Sequence, residues 1–238
     1  GAATLVLKRL PDALAAGNRI YAVIRGLGFA GGTAPVPDAQ TYACALERAY
    51  ADANLAPGRV SYLETHGSGH PREDRVEAEA LSAFFGHDES PPCAIGSAKP
   101  TIGHTGAAAG LASVVKTAIC LYQETIPPLR GFERPSAPDA WCDSGFHMPI
   151  RPLAWLRDRV DGPRCAGVSV MTLDGGCAHV VLEGVERHAA AHVAERCQPL
   201  GSRDQALFGV CGSDAAELLA GLTALRTLAT GTRGEHGR

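Results

Sequence analysis

Two histidines stand where an imidazole can do chemistry. His66 follows the run Val60-Ser61-Tyr62-Leu63-Glu64-Thr65 and opens onto Gly67-Ser68-Gly69, a turn whose bare backbone lets a ligand come close. His104 lies in Gly103-His104-Thr105-Gly106, ahead of a long apolar stretch. The start of a helix carries partial positive charge, which disfavours imidazolium and leaves a neutral ring with an N–H to donate. Such N–H groups suit stabilisation of a developing enolate or oxyanion. Lys99, at the end of another apolar run, is placed to hold an acidic partner or to raise the local positive potential. A single strand-end histidine is usually a structural residue, so the argument rests on the pair. His70, His87, His147, His179 and His188 show no such pattern and read as surface or structural. Zinc held by His66 and His70 would need both rings on one helical face, and Gly67 and Gly69 argue against a helix there. Gly31-Gly32 and Gly175-Gly176 match neither a P-loop nor a strand–GxGxxG–helix unit.

The elements around these residues can be read from period and punctuation. Thr4–Leu7 and Ile20–Leu27 read as strands, with a helical turn over 11–16 closed by Gly17-Asn18. Residues 28–37 are a loop by composition, and a helix runs from an N-cap at Asp38 to Ala53. Strands are expected over Val60–Glu64 and Ala94–Ser97, and a helix over Asp74–Phe85. Residues 106–122 form a helix apolar nearly all round, which marks a buried element of a large core. Residues 127–163, rich in Pro and charge with two Trp, form an irregular excursion. Cys165–Met171 and Ala178–Glu183 are strands joined by the hairpin signal Asp174-Gly175-Gly176. The alternation of strands and helices gives a layered α/β protein. Residues 1–187 read as one domain and 188–238 as a boundary followed by the start of another α/β module, with a strand over Ala206–Cys211 and a helix over Ala215–Leu228.

Composition excludes several classes. The formal net charge is −3 and basic residues are scattered, so there is no nucleic-acid footprint. No apolar run reaches the roughly 20 residues of a membrane span. The start of the chain has no basic n-region and reads as a strand already in progress, which points to the cytoplasm. The eight cysteines form no CxxC pair and read mostly as small buried hydrophobes in a reducing compartment.

At His66, Lys99 and His104 the sequence resembles the β-ketoacyl synthase (ketosynthase) family of the thiolase superfamily. The family's E-A-H-G-T-G-T…G-D-P-x-E-A reads here Glu64-Thr65-His66-Gly67-Ser68-Gly69-His70…Glu73-Asp74-Arg75-Val76-Glu77-Ala78. Its G-S-x-K-x-N-I-G-H-x-x-A-A-A-G reads Gly96-Ser97-Ala98-Lys99-Pro100-Thr101-Ile102-Gly103-His104-Thr105-Gly106-Ala107-Ala108-Ala109-Gly110. Asn18–Gly26 and Asp174–Glu183 also look like the family, so the likeness covers about residues 1–183 in order. It implies the carboxyl-terminal half of a thiolase-like layered αβαβα fold, usually dimeric, from a type I polyketide or polyunsaturated-fatty-acid-type synthase. It also implies that residues after 187 begin a ketosynthase-to-acyltransferase linker. The implied reaction is decarboxylative Claisen condensation of acyl and malonyl thioesters carried on acyl carrier protein phosphopantetheine, with no metal and no bound cofactor. His66 and His104 then assist decarboxylation and stabilise oxyanions, Lys99 supports them, and Thr101, Leu173, Gly175 and Gly176 belong to substrate loops. The partners implied are the carrier protein, the amino-terminal half of the same domain, and a second ketosynthase or ketosynthase-like subunit. None of the cysteines has the context of the family's nucleophile. Thr172-Leu173-Asp174-Gly175-Gly176-Cys177 stands for the family's G-F-G-G-T-N, His70 for a threonine, and Pro100-Thr101 for Ser-Asn. These departures leave a non-condensing, chain-length-factor-type partner as the alternative.

Overall fold

The computed structural model describes residues 1–32, 37–86, 92–141, 144–157, 159–186, 210 and 212–231. The chain divides into two compact units, Gly1–His192 and Val193–Arg238.

In the first unit, α1 (Leu10–Ala15) precedes β1 (Val23–Ala30), α2 (Ala39–Ala53), β2 (Val60–Glu64), α3 (Pro71–Phe85), β3 (Cys93–Gly96) and the short α4 (Lys99–Ile102). Then come α5 (Ala109–Gln123), β4 (Thr125–Ile126), α6 (Pro138–Trp141), β5 (Phe146–His147), β6 (Leu153–Ala154), β7 (Cys165–Met171) and β8 (Cys177–Glu183). Six strands form one sheet in the order β1-β8-β7-β2-β3-β5. β7, β2, β3 and β5 run parallel; β8 pairs antiparallel with β7 through their hairpin, and β1 pairs antiparallel with β8 and so runs in the direction of β7. β4 and β6 pair separately.

Helices cover both faces. α2 and α3 pack against Val60, Leu63, Cys165, Met171 and Val181 on one face. Val114, Cys120 and Leu121 of α5 pack against Tyr62, Ala94, Ala166, Val168 and Leu182 on the other. β2 and β7 are apolar on both sides because both sides are covered, as parallel strands require. α2 starts where Asp38 accepts the Thr41 N–H at 2.7 Å and ends at Asn54, whose φ of 48° is left-handed.

The boundaries differ from the sequence reading in several places, among them α3, which starts at Pro71 rather than at the expected Asp74. Thr4–Leu7 is not a strand: Leu5 rests against the core, but Val6 is 96% exposed and no strand pairs with the segment among the described residues. The second strand runs Val23–Ala30, not Ile20–Leu27, so Gly28-Phe29-Ala30 belong to it rather than to a loop. Its register is set by β8, with Ala30 opposite Cys177, and by the approach of α2. A Cβ on Gly28 would lie 2.0 Å from the Ala45 carbonyl oxygen and 2.5 Å from the Ala49 nitrogen, so only glycine lets α2 come this close. The apolar helix starts at Ala109 after a single 3-10 turn, and it is buried on one face only, with Leu111 and Ile119 exposed. The excursion over 127–163 carries short pieces of structure, anchored by Trp155, which is buried and donates to Ser61 Oγ at 2.9 Å.

In the second unit, α7 (Ala215–Gly231) extends three residues past the expected end at Leu228. Asp214 accepts the Glu217 N–H at 2.9 Å, and Glu217 accepts from the Ser213 N–H at 2.8 Å, which caps its first turn. The strand expected over Ala206–Cys211 and most of the boundary segment lie outside the described residues.

Gly28→Ala is expected to lower stability by about 1–3 kcal/mol in urea unfolding, because backbone atoms of α2 would have to move. Gly31→Ala, with nothing within 4 Å of the added methyl, should change it by less than about 0.5 kcal/mol.

Candidate active site

Three parallel strands, β7, β2 and β3, end side by side, and the residues that follow each form one cluster. The outer ends of parallel strands are where α/β sheets place ligand sites. His66 follows β2, Lys99 and His104 follow β3, and the turn 172–176 follows β7.

His66 is 3% exposed. Its Nδ1 accepts the Met171 N–H at 3.2 Å, so the neutral ring carries its proton on Nε2. That Nε2 faces the Glu73 carboxylate at 3.6 Å. Burial, reinforced by the charge of Lys99, lowers the His66 pKa to about 4. The His104 ring meets His66 edge to face, with centroids 5.6 Å apart. His104 Nδ1 accepts the Gly106 N–H at 3.2 Å, which again leaves Nε2 as the donor. The two imidazoles thus stand together with matching tautomers, although His104 is exposed and His66 is not.

Lys99 is buried and its Nζ donates to the His66 carbonyl oxygen. Burial lowers its pKa, against the pull of Glu77, Glu64, Glu73 and Asp74. It is a brace beneath the turn that carries His66.

The turn itself hangs on two buried carboxyl groups. Glu77 Oε1 accepts from the His66 N–H at 2.7 Å and from the Tyr42 hydroxyl at 2.6 Å, and Oε2 accepts from the Gly67 N–H at 2.8 Å. Burial raises the Glu77 pKa, opposed by these three donors. Glu64 accepts the Ala98 N–H at 2.6 Å, and the Tyr62 hydroxyl and Lys116 ammonium at 2.6 Å each. Gly67 has φ 47°, and a Cβ there would press on Ser97 Oγ at 3.0 Å, so the sharp exit from β2 requires glycine. Residues 65–70 are non-helical, which keeps His66 and His70 off a common helical face. His70 is the exposed residue preceding α3.

The remaining loop residues are placed unequally. The β7–β8 turn touches the site through Met171, whose N–H holds His66. Gly175 is buried in that turn with φ 82°, Gly176 closes it by accepting the Thr172 N–H at 2.9 Å, and Leu173 projects outward, 94% exposed. Asp174 is bound within the turn by the Thr172 hydroxyl and the Gly176 N–H, which hold its carboxyl below the usual range. Thr101 lies exposed on α4, and among the described residues no hydrogen bond ties its side chain to either imidazole.

Sequence reasoning passed over Glu64, Glu73, Glu77 and Tyr42 as site residues. Glu77 carried a signal, since it shares a helical stripe with Leu81 and Phe85 of α3. His179 is structural, as expected. It is 1% exposed, its Nδ1 lies 2.8 Å from Ser169 Oγ, it stacks on Tyr50, and burial lowers its pKa to about 3. Among the described residues no thiol bonds to either imidazole. Burial pushes Cys120 up to about 11 and Cys177 up to about 12, so neither is a ready thiolate.

A mixed sheet covered on both faces, with paired imidazoles at its parallel-strand ends, defines a thiolase-like α/β protein. Residues 21–133 match the family described as "Beta-ketoacyl synthase, C-terminal domain". Polyketide synthase GfsE of Streptomyces halstedii is 37% identical over 189 residues, covering 77% of this chain and 5% of that protein. The highly reducing polyketide synthase sor1 of Hypocrea jecorina is 39% identical over 191 residues, 77% of this chain and 7% of that one. The ketosynthase from module 6 of the bacillaene synthase of Bacillus subtilis superposes with a TM-score of 0.70 at 34% identity, covering 75% of this chain and 33% of that one. The chain belongs to the β-ketoacyl synthase family and corresponds to the carboxyl-terminal part of a ketosynthase domain. It spans only a small part of the curated relatives it matches.

Two outcomes are expected. Glu77→Leu strands the His66 and Gly67 N–H groups and the Tyr42 hydroxyl, at about 1–3 kcal/mol for each donor left buried and unpaired. Amide exchange at 66 and 67 should rise with the loss of stability. Second, His66 and His179 are neutral in the fold at pH values where the unfolded chain is protonated, so the unfolded state binds more protons below its histidine pKa near 6.5. The contribution of these two histidines should be flat above pH 6.5 and fall as pH drops, by at most about 1.4 kcal/mol per pH unit per histidine. The share of His66 ends near pH 4 and that of His179 near pH 3. A His179→Leu variant should show a shallower decline in urea unfolding at stepped pH.

Proposed function

We propose that this chain provides the histidine-bearing part of a condensing ketosynthase, which joins acyl and malonyl thioesters by decarboxylative Claisen condensation. The observation that carries the reading is the pairing of His66 and His104, 5.6 Å between centroids, each with Nδ1 already accepting and Nε2 left to donate. The acyl group sits on a cysteine from the preceding half of the domain. The malonyl thioester loses carbon dioxide, and the electron pair of the broken C–C bond remains as an enolate. The imidazole N–H groups stabilise the enolate oxygen. Its carbon then attacks the acyl thioester, whose oxyanion takes the same donors until the cysteine thiolate leaves. A ring that stays neutral down to about pH 4 remains in the single-donor state at neutral pH. Lys99 positions His66 through its carbonyl.

In this reading Thr101, Leu173, Gly175 and Gly176 border the acyl path, and the substrates ride on acyl carrier protein phosphopantetheine. The domain pairs with a second ketosynthase subunit. Residues 1–187 are ketosynthase, and 188–238 begin the linker toward an acyltransferase. A keto synthase–chain length factor is also similar, with a TM-score of 0.67 and 32% identity. The presence here of both donor imidazoles favours condensation over a non-condensing role.

The test uses the full-length polypeptide with radiolabelled malonyl carrier protein. His66→Ala and His104→Ala should each reduce carbon dioxide release by about 100-fold or more. A rate unchanged by His104→Ala would overturn the reading.

A further inference from the structure

We propose that Tyr42, Ser169 and His179 are positioning residues for His66, joined in a buried hydrogen-bond chain that runs one way, from the His179 Nδ1–H to the Glu77 carboxylate. None of the three touches substrate. The inference deepens the condensing reading and rests on it only for the expected effect on rate.

The direction of the chain follows from counting hydrogens outward from the site. Glu77 accepts the His66 N–H and the Tyr42 hydroxyl on Oε1 and the Gly67 N–H on Oε2. Three donors converge on it, and the charge of Lys99 favours its ionised form. Burial holds the Tyr42 phenol well above its ordinary pKa, so the hydroxyl keeps its one hydrogen. That hydrogen goes to Glu77, so toward Ser169, its other hydrogen-bond partner, the Tyr42 oxygen can only accept. Ser169 gives its single hydrogen to Tyr42, and its oxygen must then accept from His179 Nδ1, 2.8 Å away. Burial lowers the His179 pKa to about 3, so the ring is neutral and carries one hydrogen. That hydrogen is on Nδ1, the reverse of the tautomer in His66 and His104.

The surroundings of His179 agree with this tautomer. Its Nε2 is buried and has no hydrogen-bond partner among the described residues. A bare nitrogen there leaves an acceptor unmet, which proteins tolerate better than an orphaned N–H. Tyr50 stacks on the ring with centroids 5.5 Å apart. A Cβ on Gly167 would lie 2.7 Å from the ring's Cε1 and Nε2, so glycine on β7 makes the space that the imidazole fills. An apolar side chain on β8 would leave no unpaired nitrogen in this space. What the imidazole adds is the hydrogen it donates at Nδ1. Each bond polarises the next, so the chain strengthens the Tyr42 hydroxyl as a donor and steadies the carboxylate that holds the turn of His66.

The experiment has one arm on the wild type and two on variants, all in the full-length polypeptide. Nitrogen-15 histidine labelling at neutral pH should show His179, assigned by its loss in His179→Leu, with hydrogen on Nδ1 and a bare Nε2. His66 should show the opposite pattern. Hydrogen on Nε2 of His179 overturns the proposal whatever the variants do. Amide exchange at His66 and Gly67 should quicken by about fivefold in Ser169→Ala and about tenfold in Tyr42→Phe, as one hydrogen bond of the chain is lost. Exchange at the Ala98 N–H, which Glu64 holds, should stay within about twofold, and this separates loosening of the turn from loosening of the whole fold. Equal quickening at all three amides, or none at His66 and Gly67, overturns the positioning role. Tyr42→Phe should also lower kcat for carbon dioxide release by about tenfold with KM for malonyl carrier protein unchanged, because the imidazole donor is misplaced but still present. The expected tautomer and exchange in a protein whose carbon dioxide release ignores His104→Ala would sink the condensing function and leave the chain standing. The wrong tautomer in a protein whose release depends on His104 would do the reverse.

Discussion

Glu77, itself buried, accepts hydrogen bonds from two consecutive backbone N–H groups and one tyrosine hydroxyl. A strand that ends inside a protein leaves amides pointing onward with no neighbour to take them, and each costs free energy if unpaired. The carboxylate of α3 meets that need at the point where β2 gives way to His66 and Gly67. Glu64 does the same for the Ala98 amide that follows β3. The orientation of His66 is thus a consequence of how two strand ends are satisfied. Lys99 supports both arrangements, since its ammonium lies among these carboxyl groups and is bonded to the turn.

The sheet order explains why residues far apart in sequence gather here. Parallel neighbours β7, β2 and β3 all finish on one edge, so the chain passes the same place three times. The β7–β8 hairpin adds a tight turn at that edge, and its Met171 amide fixes the tautomer of His66. The antiparallel strands β8 and β1 extend the sheet away from the site and carry α2, whose Tyr42 reaches back to Glu77. Close packing of α2 on the glycines of β1 is therefore felt at the site, through one hydroxyl.

The site is also uneven in its exposure. His66 is enclosed by its own fold, whereas His104, Thr101 and Leu173 are open. α5 shows the same division, with one face on the sheet and Leu111 and Ile119 outward.

The sequence by itself determined much of this. The strand of residues 60–64 and the helix capped at Asp38 follow from period and capping, because those signals are local. So does the choice of His66, Lys99 and His104, since glycine turns after apolar runs mark strand ends whatever the rest of the chain does. Tertiary structure decided what depends on partners. Thr4–Leu7 has strand chemistry but no strand beside it, and β1 is shifted by three residues because β8 and α2 set its register. The carboxyl groups that hold the turn carrying His66 and the start of α4 find their donors across 10 to 35 residues, and no periodicity of a single segment records which donor a buried acid will find.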